Sequence, residues 1–165
     1  MSGTVVLGIG NPLGGDDAVG SHVVDLLNRA LGTAGARRGC RMAPTPTGIT
    51  VIDAGAAPES YTSVIRRRRP DLLILVDAAD MGLAAGALRI IPPEKIKTLS
   101  FSTHHMPLST FISYVESFCG KVLLVGVQPE QTETGALISE VVRESARKLA
   151  KAILERRWGN IPLLE

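Results

Sequence analysis

Cysteine is nearly absent from this 165-residue chain. Its two cysteines, Cys40 and Cys119, stand far apart with no CxxC spacing. That pattern excludes a disulfide framework and a cysteine-based zinc site. Long hydrophobic runs are also missing. The longest, LLILV at 72–76, is far too short to span a bilayer. The opening MSGTVVLGIG has no basic n-region and only a brief apolar run, so no signal peptide is expected. The chain therefore reads as a cytoplasmic protein without membrane insertion. Charge of one sign is not in excess. A net charge of +2 is too small to argue for a nucleic-acid surface. The one basic cluster, RRRR at 66–69, reads as the solvated end of a helix, where cations suit the dipole. Internal repeats and low-complexity segments are lacking. So are a G-x-S-x-G elbow, an HExxH helix and a cysteine placed for activation by histidine.

The remaining composition, 45% hydrophobic and 21% charged, is that of a globular domain long enough to bury a core. A single domain over residues 1–165 is expected, with a loosely ordered tail from about 157. Apolar runs predict strands at 4–9, 49–53, 71–76, 87–91 and 121–127. Helical periodicity predicts helices at 18–31, 58–68, 107–118 and 136–156, and a short helix starting at Glu94. The Gly- and Pro-rich stretch 35–48 reads as loop. Strands alternating with helices give an α/β fold, a central and mainly parallel sheet covered on both faces. In such sheets the site lies beyond the carboxyl ends of the strands.

Three acidic segments fall there: GNPLGGDD after the first strand, Asp53 after the second and Asp77 after the third. The first loop is not a dinucleotide fingerprint. Gly8 and Gly10 fit G-x-G-x-x-G, but Leu13 occupies the third glycine position. No Gly-Lys-Ser/Thr follows, so it is not a phosphate-binding P-loop either. Gly14 and Gly15 instead permit a tight turn with positive φ. Asp16 is placed to cap the helix that follows, which leaves Asp17 to project into the cleft. In FSTHHMPLST, residues 101–110, His104 and His105 sit on a loop facing the same edge. Asp17, Asp77 and one of these histidines would form a mixed oxygen and nitrogen ligand set for a divalent ion. The blander alternatives are a turn-capping Asp77 and a histidine that only makes hydrogen bonds. His22 reads as part of the first helix's surface, and Cys119 as a small buried hydrophobe.

The stretches GIGNPLGGDDAVG, VIDAGAAPE, RPDLLILVDAADMGLAAGALRII, THHMPL and LLVGVQPE, taken in order, carry a resemblance. The sequence resembles the hydrogenase maturation endopeptidases, most closely the branch serving formate-linked or energy-converting hydrogenases. The resemblance implies a three-layer α/β/α sandwich around a twisted five-stranded sheet. By position it implies Asp17, Asp77 and His104 as metal ligands. It implies that Asp53 takes part in catalysis, along with Asp17, with Gly55, Asp16 and His105 in the supporting loops. It further implies a substrate, the large-subunit precursor of a nickel–iron hydrogenase, from which a short C-terminal extension is cut after nickel insertion. Nickel enters through the resemblance alone, since ligand type predicts a divalent ion and no particular one. The expected state is a monomer that meets nickel in its substrate. Two departures stand out: His105 where relatives often carry Asn, and Ala54 where many carry Gly. Competing readings are a nickel- or precursor-binding chaperone that cuts nothing, and a peptidyl-tRNA hydrolase, which shares GNP after its first strand.

Overall fold

The computed structural model describes residues 3–32, 48–101 and 106–165. Thr4–Ile9 contains no charge, is buried along its whole length and forms β1. A 3-10 turn at Gly15–Ala18 leads into α1, Val19–Leu31, which Gly32 ends in the left-handed conformation at φ 71°. The other strands are β2 (Ile49–Gly55), β3 (Leu72–Asp80), β4 (Leu88–Ile90), β5 (Ser100–Phe101) and β6 (Lys121–Val127). The other helices are α2 (Thr62–Arg68), α3 (Pro93–Ile96), α4 (Leu108–Val115) and α5 (Glu140–Leu154).

The strand order is β2-β1-β3-β6-β4. β1, β2, β3 and β6 run parallel, β4 runs antiparallel to β6, and β5 pairs antiparallel with the end of β3. The sheet thus has six strands, not the five expected. The extra one, β5, has only two residues, too few for a period-2 pattern to show.

Side chains alternate across each strand and sort into two apolar layers. Val6, Ile49, Val51, Ile74, Val76 and Val125 pack with α1 and α5. Val5, Leu7, Ile52, Leu73, Leu75 and Leu124 pack with α2, α3 and α4. Burial of each such aliphatic side chain contributes about 1.5–3 kcal/mol before chain entropy is counted. α1 can lie close on β1 and β3 because residue 20 is glycine. A Cβ there would collide with the Ile9 backbone and stand 2.8 Å from the Val76 carbonyl oxygen.

Several expectations need correction. α5 begins at Glu140, because Ala136, Leu137 and Ile138 form an extended approach to Ser139 rather than a helical turn. Val141 is exposed, and the packed face of α5 is Val142, Ala146, Leu149 and Ile153. On α1 the apolar spacing puts Val19, Val23, Leu26, Leu27 and Ala30 on one face, but Ala30 is exposed and Val24 is buried. The tail is docked rather than loose. Ile161 is buried, Leu163 bridges Ile90, and Ile90 exchanges hydrogen bonds with Pro162 and Leu164. The predicted loop at 35–48 lies outside the described residues apart from Gly48. Among the described residues no helix is long and apolar enough to cross a membrane.

The chain leaves β1 for β2 on one side and returns to β3 on the other. The crevice between the carboxyl ends of β1 and β3 is therefore the topological switch point, where open α/β sheets place their sites.

Candidate active site

Asp17 stands at this switch point on the 3-10 turn. Gly15 takes φ 59° to start the turn, and Asp17 N–H donates to the Gly14 carbonyl at 3.1 Å. Gly10 lies between Asp17 and Asp77 and has φ 139°. A Cβ at Gly10 would overlap the Asp17 carbonyl oxygen and stand 3.5 Å from Asp77 Oδ1. A Cβ at Gly14 would stand 3.2 Å from Asp17 Oδ2. Glycine at both positions lets the loop pack tightly, with the Asp17 backbone and an Asp77 carboxylate oxygen both close to Gly10. Asp77, in register with Gly126 of β6, is fully buried, and strand alternation puts it on the α2/α4 face.

Asp16 does not cap the helix that follows it, since neither the 3-10 turn nor α1 has a side-chain cap. Its fully buried carboxylate reaches instead to the segment between β6 and α5. It accepts from Glu130 N–H at 2.8 Å, Gln131 N–H at 3.0 Å, Ser139 N–H at 2.7 Å and the Ser139 hydroxyl. A local capping rule could not have found these partners, which lie more than a hundred residues along the chain.

Asp53 lies two residues before the end of β2, opposite Gly8 and at the level of Val76 on the far side of β1. With strands about 4.8 Å apart, Asp53 and Asp77 are separated by roughly 10 Å. Asp53 belongs to the α1 face, the opposite face from Asp77. Its Oδ1 accepts from Ser21 Oγ at 2.8 Å and from Gly55 N–H at 3.1 Å. The Asp53 carbonyl accepts from the Tyr61 hydroxyl at 3.3 Å. Pairing skips Ala54, so Gly55, at φ 58°, is opposite Ile9 and its carbonyl accepts from Gly10 N–H at 2.8 Å. The Asp53 loop and the Asp17 loop are thereby tied together. Ser21 was not anticipated; the only signal for it is its position four residues after Asp17, at the same end of α1.

Asp17 lines a cleft of about 430 Å³ whose walls are the end of β3, β5 and residues 128–132. Asp80 and Glu130 add carboxylates to this cleft. Gln128, buried at the end of β6, accepts from Met81 N–H at 2.7 Å and donates to Asp80 Oδ1 at 3.2 Å. The cleft thus carries three carboxylates, Asp17, Asp80 and Glu130. His104 and His105 lie outside the described residues; Phe101 on one flank pairs with Ala79, and Met106 on the other packs on the α2/α4 layer. Among the described residues no three His, Cys, Asp or Glu side chains form a ligand set.

Burial raises the Cys119 thiol to about 11, so it is not a thiolate at neutral pH. His22 is half-buried rather than a plain surface residue. Burial lowers its pKa, and Arg143 of α5 lowers it further.

The model of the HycI hydrogenase maturation protease family matches residues 36–156. The Escherichia coli K12 hydrogenase 3 maturation protease is 37% identical over 76% of this chain and 72% of its own length. The solution structure of the endopeptidase HycI from Escherichia coli superposes with a TM-score of 0.79 at 30% identity, covering 99% of this chain and 97% of that one. The crystal structure of a nickel–iron hydrogenase maturation protease HycI from Thermococcus kodakarensis gives 0.76 at 33% identity, covering 94% and 92%. Matches of this extent over both sequence and fold make this chain a member of the hydrogenase maturation protease family.

Proposed function

We propose that this chain is the endopeptidase that removes the C-terminal extension of a nickel–iron hydrogenase large-subunit precursor once nickel is in place. The observation that carries the reading is the approach of Asp17 and Asp77 around Gly10 at the switch point, beneath an acidic cleft, in a chain of this family. In this reading Asp17 and Asp77 supply carboxylate oxygens, donors of the kind a divalent ion takes. His104 is the third ligand in this reading. It is three residues from Phe101, and three residues of extended chain span at most about 11 Å.

Asp17, Asp77 and His104 hold the nickel that arrives within the substrate, and so recognise a precursor that has been loaded. The bound metal supplies Lewis acidity for the scissile carbonyl or for water. An extended segment laid across the carboxyl ends of β2, β1 and β3 covers the roughly 10 Å from Asp53 to Asp77 with three residues. Asp53, held by Ser21 and Gly55, orients the attacking water or takes its proton.

The test is intact-mass analysis of nickel-loaded precursor incubated with wild type, His104→Ala and Asp53→Asn, beside a nickel-free precursor. Loss of a C-terminal peptide only with wild type, and only with nickel present, is the expected result. A complex that forms without any mass change would make the chain a binding module. Normal cleavage by Asp53→Asn would remove Asp53 from the chemistry.

A further inference from the structure

Asp16 carries the densest set of long-range polar contacts around the cleft. Both carboxylate oxygens are engaged: Oδ2 by Glu130 N–H, Gln131 N–H and the Ser139 hydroxyl, Oδ1 by Ser139 N–H and the same hydroxyl. The Asp16 N–H also donates to the Gln131 carbonyl at 2.8 Å. Close by, Gly135 N–H donates to the Leu13 carbonyl at 2.8 Å, and a Cβ at Gly15 would stand 2.8 Å from the Gln131 carbonyl oxygen. The loop that carries Asp17 and the segment that precedes α5 are thus knitted into one wall. Ser139 is the N-cap residue of α5, so the Asp16 carboxylate lies at the electropositive end of a 15-residue helix. An acceptor-only group, fully buried and met by four donors, has no slack in its position.

The placement is specific to the cleft. Asp17, the next residue, lines it on one side, and Glu130, Gln131 and Thr132 line it on the other. We propose that Asp16 is a positioning residue: it fixes the aim of Asp17 and the stance of residues 130–132 together, and so sets the cleft for the metal-bearing substrate. This rests on the protease reading above for its substrate, though not for its geometry.

Asp16→Asn is nearly isosteric but turns one oxygen toward N–H donors as an NH2 group. Ser139→Ala removes only the hydroxyl and leaves the rest of the clamp. Three measurements are made on wild type and both variants: amide hydrogen exchange, nickel(II) titration, and cleavage of nickel-loaded precursor. In Asp16→Asn, exchange is expected to quicken at least tenfold at Glu130, Gln131 and Ser139 while the amides of β1 and β3 stay protected. Nickel(II) affinity is expected to fall about tenfold and cleavage kcat/KM by 10- to 100-fold, mostly through KM, by analogy with other charge-assisted hydrogen bonds. Ser139→Ala should move every readout the same way by less.

Faster local exchange with unchanged nickel affinity and unchanged kcat/KM would make Asp16 a structural tie and overturn the proposal, leaving the protease reading intact. Wild type that binds nickel(II) without cutting, with Asp16→Asn binding more weakly, would sustain the positioning role and sink the protease reading. If Asp16→Asn unfolds globally, Ser139→Ala decides on the same readouts. A wild type that neither binds nor cuts removes both.

Discussion

Ser21 Oγ, in the first turn of α1, donates a 2.8 Å hydrogen bond to Asp53 Oδ1 at the end of β2. The helix that begins at the Asp17 loop therefore holds the second acidic position of the site. A hydrogen bond to a charged group is worth about 1.5–3 kcal/mol, so losing this one is expected to cost roughly ten- to a hundredfold where the carboxylate's aim matters. Ser21→Ala should lower cleavage kcat by about tenfold and lower Tm by a few degrees. Steady-state kinetics on the loaded precursor decide it, and an unaltered kcat would leave the bond as scaffolding only.

Gly10→Ala is the sharpest steric test. The position has φ 139°, and a methyl group would overlap the Asp17 carbonyl oxygen. Backbone strain of this kind costs about 1–3 kcal/mol, and the clash adds to it. The expected result is a loss of at least about 2 kcal/mol in urea unfolding together with loss of divalent-ion binding. A variant that kept both would show that the loop can move aside.

Deleting residues 161–165 removes buried Ile161 and both hydrogen bonds to Ile90. Burial of one isoleucine at about 1.5–3 kcal/mol and two backbone bonds near 1 kcal/mol each predict a loss of about 3.5–5 kcal/mol. The deletion also opens the outer edge of β4, so light scattering should rise with concentration. Unfolding and scattering curves that match the full chain would mean the tail contributes nothing.

His22 gives the fold a pH dependence. Burial and the Arg143 guanidinium favour its neutral form; Arg147 and Arg29 act the same way, and Asp25 opposes them. The unfolded chain takes up its proton near the ordinary value of 6.5, while the native state resists until lower pH. Stability attributable to His22 is therefore undiminished above 6.5, falls as pH drops below that value, and levels off once the native imidazole is also charged. Urea midpoints measured between about pH 7 and pH 5 should fall more steeply for wild type than for His22→Gln. Parallel curves would contradict the assignment.

The parallel core was legible because β1, β3 and β6 are built on the apolar runs VVLGI, LLILV and VLLVGV, as expected of strands covered on both faces. Asp77 was read as the end of the third strand, but β3 runs on to Asp80 and Asp77 is paired within it. What escaped the sequence was non-local. Asp16 looked like a cap for its own helix, because nothing near it reveals donors at Ser139. The tail read as loose because its partner, Ile90, is some seventy residues earlier. Ser21 looked like an ordinary helix residue until β2 came beside it. The start of α5 was placed too early because Ala136, Leu137 and Ile138 extend its apolar pattern, and only Ser139 marks the true boundary.

The clamp between Asp16 and Ser139 spans 123 residues of chain. During synthesis at about 5–20 residues per second, the Asp17 loop leaves the ribosome many seconds before its anchor. Until Ser139 arrives, this clamp on the first loop cannot close. β6 and the cleft-lining residues 128–132 are themselves made only shortly before it. The cleft's earliest-made and latest-made walls are therefore joined in a single step, by one carboxylate.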